Sequence, residues 1–361
     1  MSGPGIRRHL TTLLLGALVG AGLIAVSPVA DACACGGVVH SPESTVSVGS
    51  ETSIVRRQGG TESITMHLAM RSDTRDVGLL VPTPHPAKVS LGDSTDFDVL
   101  ASASAPRQET RWHLFGPPAL FGSHDNGASS GAPHVGSGHV HALSTVDLGP
   151  LRATTLQADD PDALQAWLTA HRYRMRPDLS QAVAPYVAEG WSFVAIRLTQ
   201  EGHDLNGKLP PLVMTFPSRQ IVYPMRMSRA ADHDQSVRVY VLARHRVHRT
   251  DASARGSSTP QVMYAGRVHT AYPKSAGLKK QLRTTPYLTT IDQDFNDPRH
   301  QVVSDLTFTR SDSDAGYQRV EWRDDYRIPV DVAVIGILLV IGLAGLVAWR
   351  VRSRRAAKVT P

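Results

Sequence analysis

Apolar and polar residues alternate with period two over residues 45–56 and 63–70, where Val46, Val48 and Ile54, then Ile64, Met66, Leu68 and Met70, fall on one side. That spacing predicts two half-buried strands, and Gln58-Gly59-Gly60 between them predicts a hairpin turn. Residues 77–81 read as a short buried strand stopped by Pro82, Pro84 and Pro86, because proline has no N–H to give a central ladder. A short helix is expected over 93–103, a strand over 110–115, and two more strands within 139–158. The period then changes. Asp160 is a good N-cap, Pro161 suits the first helical position, and Leu164, Trp167, Leu168 and His171 share one helical face. A second helix over 179–189 contains Pro185 and closes at Gly190. Alternation resumes over 191–198, 212–216, 221–225, 237–242, 262–269, 305–310 and 317–322. The pattern predicts an α+β, strand-dominated region with a helical insert, spanning 33–328 as one large or two modest domains. Residues 116–138 and 251–260, rich in Gly, Ser and Pro, read as loops.

Two apolar runs stand outside this pattern. Residues 332–349 carry no charge, and eighteen residues at 1.5 Å each give about 27 Å of helix, close to the hydrocarbon thickness of a bilayer. Arg350, Arg352, Arg354, Arg355 and Lys358 follow at once, which predicts a cytoplasmic tail and an extracytoplasmic domain before the span. At the other end, Arg7 and Arg8 precede a long apolar run and a small-residue stretch, Ala30-Asp31-Ala32. Residues 1–32 therefore read as a signal peptide, with an uncleaved anchor as the alternative. The expected address is the bacterial cell membrane, crossed once by residues 330–349, with residues 350–361 inside.

The chain has 361 residues, 41% hydrophobic, and a formal charge of +6. Most of that charge sits in the two ends, leaving 33–330 nearly neutral. The basicity is thus a targeting signature, and nucleic acid is not an expected partner.

The only cysteines are Cys33 and Cys35, in CACGG. In an exported protein an even count suggests a disulfide, although a one-residue gap strains the ring. The alternatives are a soft-metal site, in which both thiolates, the new α-amine and His40 are ligands, and free or lipidated thiols. Gly36-Gly37 would then turn the backbone into the first strand. His139 and His141 point to one side if residues 139–141 are extended, and with His124 and His134 they form a second metal candidate. Gly127-x-Ser129-x-Gly131 lacks the strand and helix that a nucleophile elbow needs. Asp292-x-Asp294-x-Asn296 starts like a calcium loop, but Asp297-Pro298 replaces the turn glycine and Val303 the bidentate glutamate. Arg244 to Arg249 read as an exposed basic strand end, and Trp167, Tyr186 and Trp191 as core.

Several segments together resemble a bacterial envelope family, DUF2330, a domain of unknown function. They are CACGG, VGLLVPTP, DALQAWLTAHRYRM with APYVAEGWSFVAIRL, and PLVMTFPSRQIVYPMRMS. The resemblance covers nearly all of 33–325. It implies a signal peptide, an extracytoplasmic domain and often a C-terminal span, and it supplies no substrate, cofactor or catalytic residue. The expectation is an envelope protein whose exported domain is a binding or scaffolding module, with no cofactor and an unidentified ligand or protein partner. Metal or thiol-redox chemistry through Cys33 and Cys35, and an extracytoplasmic enzyme, are the other two readings.

Overall fold

The computed structural model describes residues 32–33, 36–39, 46–72, 76–116, 140–149, 151–173, 175–199, 207–269 and 275–356. Its helices are α1 (Ser94–Ala103), α2 (Pro161–Ala170), α3 (Pro177–Ala188), α4 (Ala276–Thr284), the one-turn α5 (Pro298–Gln301) and α6 (Val330–Ala356). A six-stranded antiparallel sheet runs in the order Ala32–Cys33, Gly36–Val39, Asp76–Thr83, Ser192–Thr199, Leu151–Ala158, Val140–Leu148. A larger sheet is centred on the hairpin Val46–Gln58 and Thr61–Ser72. On one side of that hairpin lie Gln235–Ala243, Tyr287–Phe295, Gln261–Arg267 and Tyr317–Gln318, and on the other Leu212–Pro217 and Lys88–Leu91. Only the pairing of Gln235–Ala243 with Val46–Gln58 is parallel in this sheet.

Alternation along the strands dictates the layers. Leu79, Val81, Val194 and Ile196 of the smaller sheet meet Ile64, Met66, Val239 and Val241 of the larger one in a shared core. The residues between them point the other way. Leu80, Leu156 and Phe193 pack against Leu164, Leu168, Val183 and Tyr186 of α2 and α3. On the far side, Ile54, Tyr240, Leu242 and Leu288 pack against Phe97 and Leu100 of α1 and Leu278 and Leu282 of α4. The result is a helix–sheet–sheet–helix stack, with a three-stranded sheet of Ile221–Tyr223, Leu306–Arg310 and Val247–Arg249 contributing Tyr223, Leu306 and Phe308 to the central core.

Local expectations hold in most places. Gly59 and Gly60 take positive φ (58° and 78°) in the hairpin turn, the conformation a two-residue turn between twisted strands requires. Asp93 and Asp160 cap α1 and α2 through Thr95 N and Asp162 N. Three details differ. The strand Asp76–Thr83 runs through Pro82, which pairs with Phe193. Its other neighbour, Gly36–Val39, reaches only to Leu80, so Pro82 lies where the strand has already become an edge. Gly36 and Gly37 are strand residues, not a turn. A Cβ at Gly36 would stand 2.7 Å from the Leu80 carbonyl oxygen, and one at Gly37 would stand 2.4 Å from Leu179 Cδ1. Finally, Asp292 and Asp294 lie in the strand Tyr287–Phe295, where they bond Arg238 and Ser236 across the ladder.

The chain leaves the stack through a parallel two-stranded ribbon, Arg107–Gly116 beside Val320–Pro329, which ends at the start of α6. Within α6, Ala333–Ser353 has a mean hydropathy of 2.4 and none of it is buried. Among the described residues it is the one helix long and apolar enough to cross a membrane.

Candidate functional site

The register of the six-stranded sheet places two rows of residues on its helix-facing side. One row reads Val39, Gly78, Arg197, Arg152, Asp147 from strand to strand. The next reads Gly37, Leu80, Ala195, Thr154, Thr145, and closes with a 3.1 Å hydroxyl–hydroxyl contact between Thr145 and Thr154. Helices α2 and α3 cover the sheet near Phe193 and Leu156, and Val39 and Gly78 of the first row are buried as well, leaving an open strip at Arg152 and Arg197.

The end of α2 forms the wall above that strip. Tyr173 N–H donates to Leu168 O at 2.9 Å and Arg172 N–H to Thr169 O at 3.0 Å. This double bond pattern needs a left-handed residue between them, usually glycine. Here Arg172 adopts it, with φ 67°. The motif swings Tyr173 back under Leu168, and both line a cavity of about 260 Å³ together with Val39, Gly78, Thr154, Arg152, Ala195 and Arg197. Trp167 and His171 complete the wall, their rings stacked at 3.8 Å. His171 Nδ1 lies 2.7 Å from Trp167 O. A carbonyl only accepts, so Nδ1 is the donor in this bond. Apolar walls with a few convergent polar groups are the ordinary make-up of a small-ligand site.

A second cluster is structural. The Asp305 carboxylate accepts from the Tyr186 hydroxyl, from Met225 N at 2.7 Å and from Arg226 Nε at 2.8 Å. Arg226 reaches on to both oxygens of Glu189 (2.5 and 2.6 Å) and lies over the Tyr186 ring. Burial, reinforced by the Asp305 charge, pushes the Tyr186 hydroxyl far above its usual range, so it stays a donor. The network ties α3 to the turn at Arg226–Ala230 and to the chain entering Leu306–Arg310.

The residues singled out from sequence are distributed unevenly. Cys33 sits in a two-residue strand opposite Gly36, while Cys35, His40 and His139 lie outside the described residues. His141 is opposite Gln157 on the edge strand Val140–Leu148. Gly127, Ser129 and Gly131, and likewise His124 and His134, also fall outside them. Among the described residues no three His, Cys, Asp or Glu side chains gather as a metal site. Tyr186 is fully buried, whereas Trp167 and Trp191 are only partly covered and pack at the margin of the α2–α3 core. Arg249 is not an exposed strand end: it is buried, forked onto Asp251 at 2.5 and 2.7 Å and bonded to Gln293.

Arg152 and Arg197 were not evident as a pair from sequence. A partial signal was present, since Arg197 follows Phe193 and Ala195 at period two and so belongs to the helix-facing side of its strand. Its partner depends on sheet register, which no local spacing reveals.

The chain belongs to the bacterial family DUF2330, described as an uncharacterized protein conserved in bacteria, whose sequence model matches residues 29–309. Comparisons with curated proteins and with solved structures find no match. The family match stops before the ribbon strand Val320–Pro329 and α6. Parts of the segments that carried the resemblance line the cavity: Gly78 and Leu79 belong to VGLLVPTP, Trp167 to Tyr173 to the α2 segment, and Ala195 to Arg197 to GWSFVAIRL.

Proposed function

We propose that this chain is a single-span protein of the bacterial cell membrane whose α+β domain faces outward and acts as a binding module, with the groove at the end of α2 as its ligand site. Convergence carries the reading. Five separate stretches of the chain supply adjacent walls of one concave site, and that site mixes apolar cover from Val39, Leu168 and Tyr173 with Arg152, Thr154, His171 and Arg197. Such a mixture orients a ligand. Among the described groove residues no nucleophile stands against a base and no two carboxylates face each other, so binding fits the geometry better than acid–base or nucleophilic chemistry. The outward orientation is supported by the basic collar at 350–358 and the basic, apolar start of the chain.

Native mass spectrometry of the full chain, extracted from its own membrane in detergent, tests this. The comparison is Ala195→Phe, which fills the groove floor. The expected result is a non-covalent small-molecule adduct on the wild type that the folded variant lacks. The same adduct on both, or none on either, contradicts the reading.

A further inference from the structure

On the opposite side of the stack from the α2 groove, a second cavity of about 670 Å³ opens between α1 and the strand Gln261–Arg267. That volume is ordinary for a small-ligand site. Thr95, Asp98, Val99, Ser102 and Ala103 recur along α1 at helical spacing and share one stripe, beside the face whose Phe97 and Leu100 are buried in the core. The stripe is itself divided. Val99 and Ala103 pack at the core margin with Tyr264, while Asp98 and Ser102 stand exposed on the rim. From the other wall, Val268 continues the apolar floor and Arg267 supplies a cation. The Tyr264 ring folds back along its own strand. A Cβ at Gly266 would stand 2.6 Å from its hydroxyl oxygen, so glycine there makes room for the phenol.

The two walls are tied together at the root of the ribbon. Just past α1, Ala105 O accepts from Gln318 Nε2 at 2.8 Å, and Arg107 N–H donates to Arg319 O at 2.8 Å; Gln318 in turn pairs with Tyr264 in the larger sheet. The spacing of the cavity is thus fixed by the fold. Asp98 and Arg267 bring opposite charges to it without meeting: neither forms a side-chain hydrogen bond or ion pair with a described residue. We infer that this cavity binds a small zwitterion of the amino-acid or dipeptide kind, with its ammonium on Asp98, its carboxylate on Arg267 and its apolar side chain against Val99, Ala103 and Val268. An ammonium has three N–H donors and no acceptor, which suits a carboxylate beside the Ser102 hydroxyl, and the Arg267 fork takes a carboxylate through paired N–H groups. A ligand with one charge would cover the opposite wall's charge without satisfying it. The site is independent of the α2 groove.

Calorimetric titration of the full-length chain in detergent micelles tests the inference with leucine and leucyl-leucine, each beside its analogue without the amine and its analogue without the carboxylate. At least one zwitterion should saturate a single site and bind about tenfold or more tightly than either of its single-charge analogues. The tighter of the two tells whether the site takes one residue or two. Asp98→Asn should erase the preference over the amine-free analogue, and Arg267→Gln the preference over the carboxylate-free one. Both positions are exposed, so the variants keep the fold. Ala195→Phe, which fills the other groove, should leave the affinity unchanged. Failure of both zwitterions to saturate at millimolar concentration overturns the inference, as do single-charge analogues that bind as tightly as their parent, or preferences that survive both charge substitutions. Loss of the zwitterion in Ala195→Phe would place it in the α2 groove and overturn this site while leaving that one.

Discussion

Tyr186 and Arg226 share one carboxylate: the tyrosine hydroxyl donates to Asp305 Oδ1, Arg226 Nε donates to Oδ2 at 2.8 Å, and the guanidinium carbon lies 4.2 Å from the centre of the Tyr186 ring. Asp305→Ala leaves the buried Tyr186 hydroxyl and Met225 N–H without their acceptor and Arg226 with Glu189 alone. The expected loss is about 3–5 kcal/mol. Tyr186→Phe removes one hydrogen bond to a charged group and should cost about 1.5–3 kcal/mol. Urea unfolding of the two variants measures both, and equal small losses would mean that solvent, not Asp305, satisfies this cluster.

Glu62 gives the domain a pH dependence of definite sign. Burial pushes its carboxyl up to about 8 from an ordinary 4.5, against the opposing pull of the Val222 N–H and the Arg57 charge. Between those values the folded chain holds a proton that the unfolded chain has lost. The stabilisation is therefore complete below the unfolded value and declines as pH rises through the folded one. Denaturation midpoints should fall between about pH 5 and pH 8 in the wild type and fall less steeply in Glu62→Gln. Identical slopes would show that Glu62 is ionised in the fold.

Helices α2 and α3 end in the same motif with different residues at the left-handed position. Gly190 fills it after α3 (φ 74°), where Trp191 N–H bonds Tyr186 O at 2.9 Å, and Arg172 fills it after α2. A side chain at such a φ costs about 1 kcal/mol. Arg172→Gly should raise stability by about that amount and Gly190→Ala should lower it comparably, read as opposite shifts in melting temperature.

Gly37→Ala should be costly despite the small change in volume. The added carbon would overlap both Leu179 methyls and approach Met227 Cε at 2.9 Å. Forced repacking of this kind costs about 1–3 kcal/mol. Coupling the change with Leu179→Ala, which opens the space, should make the double mutant less destabilised than the sum of the single ones.

The sequence made the local periods legible and left their combination hidden. The Val46–Gln58 and Thr61–Ser72 hairpin, α1, α2 and the strand Ser192–Thr199 could be read because alternation, caps and turn residues are properties of neighbours along the chain. Helix α4 and the strand Tyr287–Phe295 could not. The strand shows charges at Asp292 and Asp294 because that face lies against Arg238 and Ser236 rather than apolar residues. Pro82 read as a strand stop because the strand's neighbours, which decide whether its missing N–H matters, come from distant segments. The groove is hidden for the same reason: Trp167 and His171 are four residues apart and share a visible helical face, but Arg152 and Arg197 become neighbours only through register. Gly36-Gly37 read as a turn into the first strand, whereas these glycines are small because Leu80 and Leu179 occupy the space where side chains would stand.

An outward-facing binding domain on one span is the central claim, and protease protection tests it most directly. Wall-stripped intact cells expressing the chain with an epitope after Pro361 are exposed to external protease. The account predicts digestion of the domain and survival of a short tagged fragment comprising α6 and the tail, which is lost only when detergent opens the membrane. Loss of the epitope without detergent, or a domain that survives intact outside it, would contradict the account.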